Sequence, residues 1–93
     1  MAGSGEEIEM LIPATHLRSI VDHDGAVILD IKRDAMLTLN STGGYVWEKL
    51  RQGKLVDEIV RDLANDTGAD PATVDRDVYA FLNELKSKHL LAA

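Results

Sequence analysis

The stretch DHDGAVILDIKRDAMLTLN, residues 22–40, decides the fold. It contains two short apolar runs, Ala26–Ile31 and Ala35–Leu39, separated by a polar connection of three residues. Strands joined by so short a connection pair antiparallel. Asp22–Gly25 has the composition of a tight turn, in which glycine can adopt a positive φ. The run before this turn, Leu17–Val21, is therefore predicted to be the first strand of a three-stranded antiparallel meander.

Beyond this stretch the apolar spacing becomes helical, and it predicts three helices. The first begins at Asn40 or Ser41, both favourable N-caps, and ends at Gly53. The second covers Leu55–Thr67. The third opens with Asp70-Pro71, an N-cap followed by proline at the first helical position. Its apolar residues recur at helical spacing on one face: Val74, Val78, Phe81, Leu82 and Leu85.

These elements predict an α+β fold, a three-stranded antiparallel sheet followed by three helices in the order βββααα. With 93 residues the chain forms one domain. We expect residues 16–93 to form this domain and residues 1–15 to be an N-terminal segment that is partly flexible. A sheet of three strands cannot cover both of its edges, so one edge stays open unless another element or molecule pairs with it.

Composition and charge exclude several classes of function. The chain has no cysteine, so it contains neither disulfides nor thiolate metal sites. Its 16 acidic and 10 basic residues give a net charge of −6, which argues against nucleic acid as the main partner. No apolar run approaches the ~20 residues of a membrane span, and no signal peptide is evident. We therefore expect a cytoplasmic protein that binds neither nucleic acid nor membrane.

The sequence shows no arrangement typical of a catalytic or cofactor site. His16, His23 and His89 fall on predicted turns or near a terminus, and their spacing does not suit a metal ion. Gly43-Gly44 lacks the residues that complete a phosphate-binding loop. We interpret these two glycines as small residues that let the first helix approach a neighbour closely. The chain is accordingly predicted to be non-enzymatic and to bind no cofactor or metal.

The order of motifs over residues 24–91 resembles the PqqD-like family, the recognition elements of ribosomally synthesised and post-translationally modified peptide (RiPP) biosynthesis. The matching segments are Asp24–Asp30, Leu39–Gly43, Val46–Gly53, Asp57–Val60, Asp77–Leu82 and Leu90-Leu91. The Leu-Asn-x-x-Gly and Trp-x-x-Leu patterns are most similar to those of the free-standing recognition protein of lasso-peptide systems. The chain departs from many such members at Asp34, Met36 and Leu37, where they carry glycine and an aromatic pair.

This resemblance implies a winged helix-turn-helix-like fold and a function in peptide recognition. In the family, the leader peptide of a precursor binds as an added strand beside the third strand and under the third helix. The resemblance also implies delivery of the precursor to a processing cysteine protease. Two alternatives stay open, namely a PqqD-type adaptor for a radical enzyme and a winged-helix DNA-binding regulator. The protein is expected to be a monomer or a weak homodimer.

An open strand edge beside an apolar helix agrees with this binding mode. The edge supplies backbone hydrogen bonds to an extended peptide, and neighbouring pockets select its side chains. We expect Met36 to form a deformable floor and Asp77 or Arg76 to hold a charge of the peptide. The apolar residues of the third helix are equally expected to hold that helix on the sheet. The predicted peptide-binding residues are Ala35, Met36, Leu37, Thr38, Leu39, Val74, Asp77, Val78 and Phe81.

Overall fold

A computed structural model of the chain describes residues 11–92. The strands are β1 (Leu17–Asp22), β2 (Gly25–Asp30) and β3 (Ala35–Leu39), and the helices are α1 (Ser41–Arg51), α2 (Val56–Thr67) and α3 (Pro71–Ser87). The predicted α+β fold and its βββααα order are confirmed, and the bounds of β1, β2 and α2 differ from the predicted ones by a single residue. Within the N-terminal segment that we expect to be partly flexible, residues 1–10 lie outside the described residues.

The sheet is an antiparallel meander in the order β1-β2-β3, so β2 is central and β3 forms one edge. Side chains alternate between its two faces. On the inner face, Ala26 and Ile28 of β2 are buried beneath the helices. On the outer face, Ile20 of β1 is 71% exposed and Met36 of β3 is 67% exposed. The sheet is therefore covered by helices on one face only.

Helix α1 lies directly against β2, and two glycines make this approach possible. A Cβ atom on Gly44 would lie 2.9 Å from the carbonyl carbon of Gly25. A Cβ atom on Gly25 would collide with the carbonyl oxygen of Leu39, and Gly25 has a φ of +149° that side-chain-bearing residues rarely adopt. The predicted role of Gly43-Gly44 in a close helix approach is thus confirmed at Gly44.

All three helices contribute to the hydrophobic core above the inner face of the sheet. The largest side chains with at most 1% exposure are Trp47, Ile28, Leu50, Ile59, Leu82 and Leu85. The C-terminal end closes this core, because Leu90 is buried and its carbonyl oxygen accepts a hydrogen bond from the Ala14 backbone N–H at 3.0 Å. Pro13 and Leu91 form an isolated β-bridge next to it. Leu90-Leu91 therefore returns to the domain.

A buried carboxylate joins three separate parts of the chain at one end of the sheet. Asp30, the last residue of β2, is 3% exposed. Its Oδ1 accepts a hydrogen bond from the backbone N–H of Arg33 and lies 3.1 Å from Nε2 of His16. Its Oδ2 lies 3.6 Å from Nε of Arg33. The carboxylate thereby connects the residue before β1, the end of β2 and the turn into β3.

We expect Gly44→Ala to lower the free energy of unfolding by about 1–2 kcal/mol. The added methyl group forces α1 away from β2, and this cost exceeds the ~1 kcal/mol that alanine contributes through its higher helix propensity. Urea unfolding followed by circular dichroism measures the difference. Ser41→Ala, at an exposed position in the same helix, is the control and should change the stability little. Equal stability of Gly44→Ala and wild type would contradict the close contact.

Candidate functional site

A groove lies between the edge strand β3 and helix α3. Within the described residues β3 pairs only with β2, so the outward-pointing backbone groups along its other edge have no strand partner. Helix α3 packs closely against α2 and approaches β3 at few points. The space between them has a volume of about 480 Å³. It is lined by Leu37, Thr38, Leu39, Asn40, Thr42, Gly43, Leu63, Thr67, Ala69, Val74, Asp77, Val78, Phe81 and Glu84.

The start of α1 closes one end of this groove. Asn40 is the N-cap of α1, and its Oδ1 accepts a hydrogen bond from the backbone N–H of Gly43 at 2.8 Å. This cap turns the chain sharply from β3 into the helix. A Cβ atom on Gly43 would lie 3.3 Å from Cβ of Leu39 and 3.5 Å from Cε1 of Phe81. The absence of a side chain at Gly43 therefore leaves room for Leu39 and Phe81 beside the start of α1.

Helix α3 supplies an apolar wall and an acidic rim. Val74 and Val78 are buried at the base of the wall, while Phe81 is half-buried and packs against the edge of the core. These residues follow the i, i+4, i+7 spacing of one helix face. Asp77 and Glu84 are exposed, and both lie along the same cavity. The groove is thus apolar at its base and negatively charged along α3.

The structure brings together seven of the nine residues predicted to bind a peptide, namely Leu37, Thr38, Leu39, Val74, Asp77, Val78 and Phe81. The other two residues, Ala35 and Met36, line a neighbouring cavity of about 290 Å³ together with Leu37. Met36 is largely exposed and does not form the floor of the groove. Arg76, the alternative to Asp77 as a charged contact, is exposed and does not line the groove.

Several groove residues were not anticipated from the sequence. Leu63 and Thr67 come from α2, and their presence depends on how α2 packs against α3, which a linear pattern does not specify. Asn40 was anticipated only as a helix cap. Glu84 could have been found, because it lies seven residues after Asp77 and so falls on the same face of α3.

In residues 11–92 no three His, Asp or Glu side chains are placed to hold a metal ion together. Among the described helices none has the length and apolar character needed to cross a bilayer.

Comparison with known sequences identifies a family. The model of the family described as coenzyme PQQ synthesis protein D (PqqD) matches residues 25–91, which is more than half of the chain. The matched region begins at β2 and extends past α3, so it includes both sides of the groove. Among curated protein sequences no significant match is found.

Three solved structures share the fold. TbiB1 in complex with the TbiA(beta) leader peptide has a TM-score of 0.83 and 29% identity, over 88% of this chain and 95% of that one. The lasso peptide synthetase B1 complexed with the leader peptide has a TM-score of 0.82 and 18% identity, over 91% of this chain and 100% of that one. The PqqD part of Methylobacterium extorquens PqqCD, a stand-alone RiPP recognition element, has a TM-score of 0.72 and 26% identity, over 99% of this chain and 96% of that one.

We expect Phe81→Ala to cost only about 1–2 kcal/mol of folding stability, because its half-buried side chain borders the groove and its removal leaves no closed cavity. Leu82→Ala, one position along the same helix, should cost about 3–5 kcal/mol because Leu82 is fully buried in the core. Urea unfolding of the two variants compares them directly. A Phe81→Ala variant as destabilised as Leu82→Ala would show that Phe81 belongs to the core.

Proposed function

Because this chain belongs to the family of coenzyme PQQ synthesis protein D, we propose that it is a non-catalytic protein that recognises the leader peptide of a ribosomally made precursor. The observation that carries this proposal is the groove between the unpaired edge of β3 and the apolar wall of α3. The protein would act in the cytoplasm, where the precursor is made, as a monomer or a weak homodimer.

The groove suits an extended peptide for two physical reasons. The free edge of β3 offers backbone donors and acceptors to an added strand, which gives affinity that depends little on the peptide's sequence. The apolar base formed by Val74, Val78 and Phe81 accepts side chains that project from one face of that strand, and these contacts supply specificity. An added strand with two or three anchored side chains buries on the order of 1,000–1,600 Å² in total. Interfaces of this size reach micromolar to nanomolar affinity.

The similar structures support this function and a lasso-type pathway. Two of the three are lasso-system B1 or TbiB1 proteins bound to leader peptides, and the third is described as a functional stand-alone recognition element. The groove residues of this chain lie in the region that the family model matches. The side chains that line the groove are mainly aliphatic, aromatic and hydroxylic, and such side chains can pack against the side chains of a bound peptide. In our proposal the bound precursor is then delivered to a separate processing cysteine protease.

Peptide binding should depend on the groove and not on the rest of the sheet. The probe is a fluorescein-labelled synthetic leader peptide from the precursor encoded beside the gene, measured by fluorescence anisotropy. We expect Phe81→Asp to raise the Kd by roughly 30–100-fold, because a charge replaces an apolar anchor. Ile20→Asp makes the same kind of change on the exposed outer face and should leave the Kd within about twofold of wild type.

Circular dichroism must show that both variants retain their helical content. If the wild type binds saturably and Phe81→Asp leaves the Kd unchanged, the peptide does not bind in this groove. If the folded wild-type protein shows no saturable binding, leader recognition itself is contradicted.

Delivery to a protease has a separate readout. With the protease and precursor encoded in the same cluster, we expect this protein to accelerate leader cleavage by at least about tenfold at low micromolar precursor, because it holds the substrate near the enzyme. Phe81→Asp should remove the acceleration, and Ile20→Asp should retain it. Cleavage at one rate with and without the wild-type protein would refute the delivery step while leaving leader binding intact.

A further inference from the structure

A second cavity continues the groove toward the β2–β3 turn. It has a volume of about 290 Å³ and shares Leu37 with the groove. Its lining residues come from the inner face of β2, the β2–β3 turn, β3 and the segment after α3: Ile28, Asp30, Arg33, Ala35, Met36, Leu37, Lys88 and Leu90. We call it the turn-side cavity.

The two cavities lie in series along β3. The groove adjoins Leu39 and the α3 residues from Val74 to Glu84, whereas the turn-side cavity adjoins Ala35 and the residue that follows α3, Lys88. Strand β3 and helix α3 therefore run in opposite directions, and a strand added to β3 passes both cavities. Side chains that point to the same face of a strand are two residues and about 6.6 Å apart. Residues that occupy the two cavities must therefore be separated by an even number of positions.

The turn-side cavity differs from the groove in the charges at its opening. The groove has the carboxylates of Asp77 and Glu84 along its rim, whereas the turn-side cavity is lined by the cationic side chains of Arg33 and Lys88 together with the buried carboxylate of Asp30. Arg33 is about half exposed, and its Nε lies 3.6 Å from Oδ2 of Asp30. A guanidinium group carries five N–H donors in a planar fork, which is more than this one contact uses.

Neither basic side chain is fully neutralised by its protein partner. Lys88 Nζ lies 3.9 Å from Oε2 of Glu84, and both side chains are about half exposed, so this ion pair is weak. The charge of Asp30 is also shared with His16 and with the backbone N–H of Arg33. An incoming carboxylate can therefore displace water from Arg33 and Lys88 without breaking a strong ion pair.

The end of α3 does not oppose a negative ligand strongly. The last carbonyl groups of a helix carry a partial negative charge that repels anions. Here the carbonyl oxygen of Leu85 accepts the backbone N–H of Leu90 at 2.9 Å, and that of Lys86 accepts the backbone N–H of His89 at 3.0 Å. His89 adopts a positive φ of 62°, as expected where a chain turns back to cap a helix. These bonds satisfy two of the last carbonyl groups of α3.

From this arrangement we propose that the turn-side cavity selects an aspartate or glutamate of the leader peptide. The aliphatic part of that side chain packs against Leu37 and Leu90, and its carboxylate binds between Arg33 and Lys88. The acidic residue lies an even number of positions from the apolar residue that fills the groove. The inference rests on the proposed leader recognition and adds a second, charged determinant of which leader is accepted.

A peptide selection on the full-length protein tests this determinant without knowledge of the natural leader. The probe is a phage-displayed library of random peptides, about 16 residues long, sequenced after selection on wild type, Lys88→Glu and Lys54→Glu. Lys54 is exposed and lines neither cavity, so Lys54→Glu makes the same change in net charge elsewhere. We expect the wild-type and Lys54→Glu pools to enrich Asp or Glu at one position, an even number of residues from an enriched apolar position. The Lys88→Glu pool should lose this preference or favour Lys or Arg there.

A synthetic peptide with the wild-type consensus then gives the size of the effect. Lys88→Glu should weaken its binding roughly tenfold, and Lys54→Glu should weaken it less than about twofold. Arg33→Gln, which retains the backbone hydrogen bond to Asp30, provides a second test if Lys88→Glu does not fold. Apolar enrichment without an acidic position, or an acidic preference that Lys88→Glu leaves unchanged, would overturn the inference while leaving leader recognition intact. A wild-type pool that enriches no peptides, or whose peptides bind Phe81→Asp equally well, would overturn the proposed function and this inference together.

Discussion

The contact between Gly44 of α1 and Gly25 of β2 sets the distance between the helices and the sheet. Because neither residue has a side chain, the helix backbone approaches the strand backbone directly. This depth allows Trp47 and Leu50 to reach the inner face of the sheet and to be buried there. It also fixes where the chain must turn from β3 into α1, which is where Asn40 caps the helix. The closed end of the groove is thus determined by a contact outside it.

The elements of this fold could be predicted because each carries its own local signal. Each of these signals can be recognised within one segment: short apolar runs between turn residues, a proline at the start of α3, and a glycine after a helix. Most of the groove followed from the same signals, since the edge of β3 and the apolar face of α3 are properties of single elements. Ala35 and Met36 line the turn-side cavity and not the groove, and a linear pattern does not specify this because it depends on the direction in which β3 passes α3. The link between His16 and Asp30 was missed for a similar reason, since the two residues are 14 positions apart.

Residues on different sides of helix α3 contact the core and the groove. Leu82 and Leu85 point into the core and are almost fully buried. Phe81 lies on the shoulder of the same face, half-buried and in contact with the groove. Side chains on this shoulder contribute modestly to stability, so they can change in size or polarity at small cost to the fold. Residues on this shoulder can therefore differ in size or polarity while the sheet and the helical core are maintained.

The position of α3 beside the edge of β3 has a further consequence for the protein before any peptide arrives. A bare strand edge is a template for uncontrolled pairing between molecules, and proteins commonly protect such edges with a helix or with charges. The carboxylates of Asp77 and Glu84 repel the same groups on a second molecule, and the body of α3 restricts the approach of another folded sheet. A single extended chain is narrow enough to enter. Helix α3 and its carboxylates thus limit which partners can reach the edge of β3.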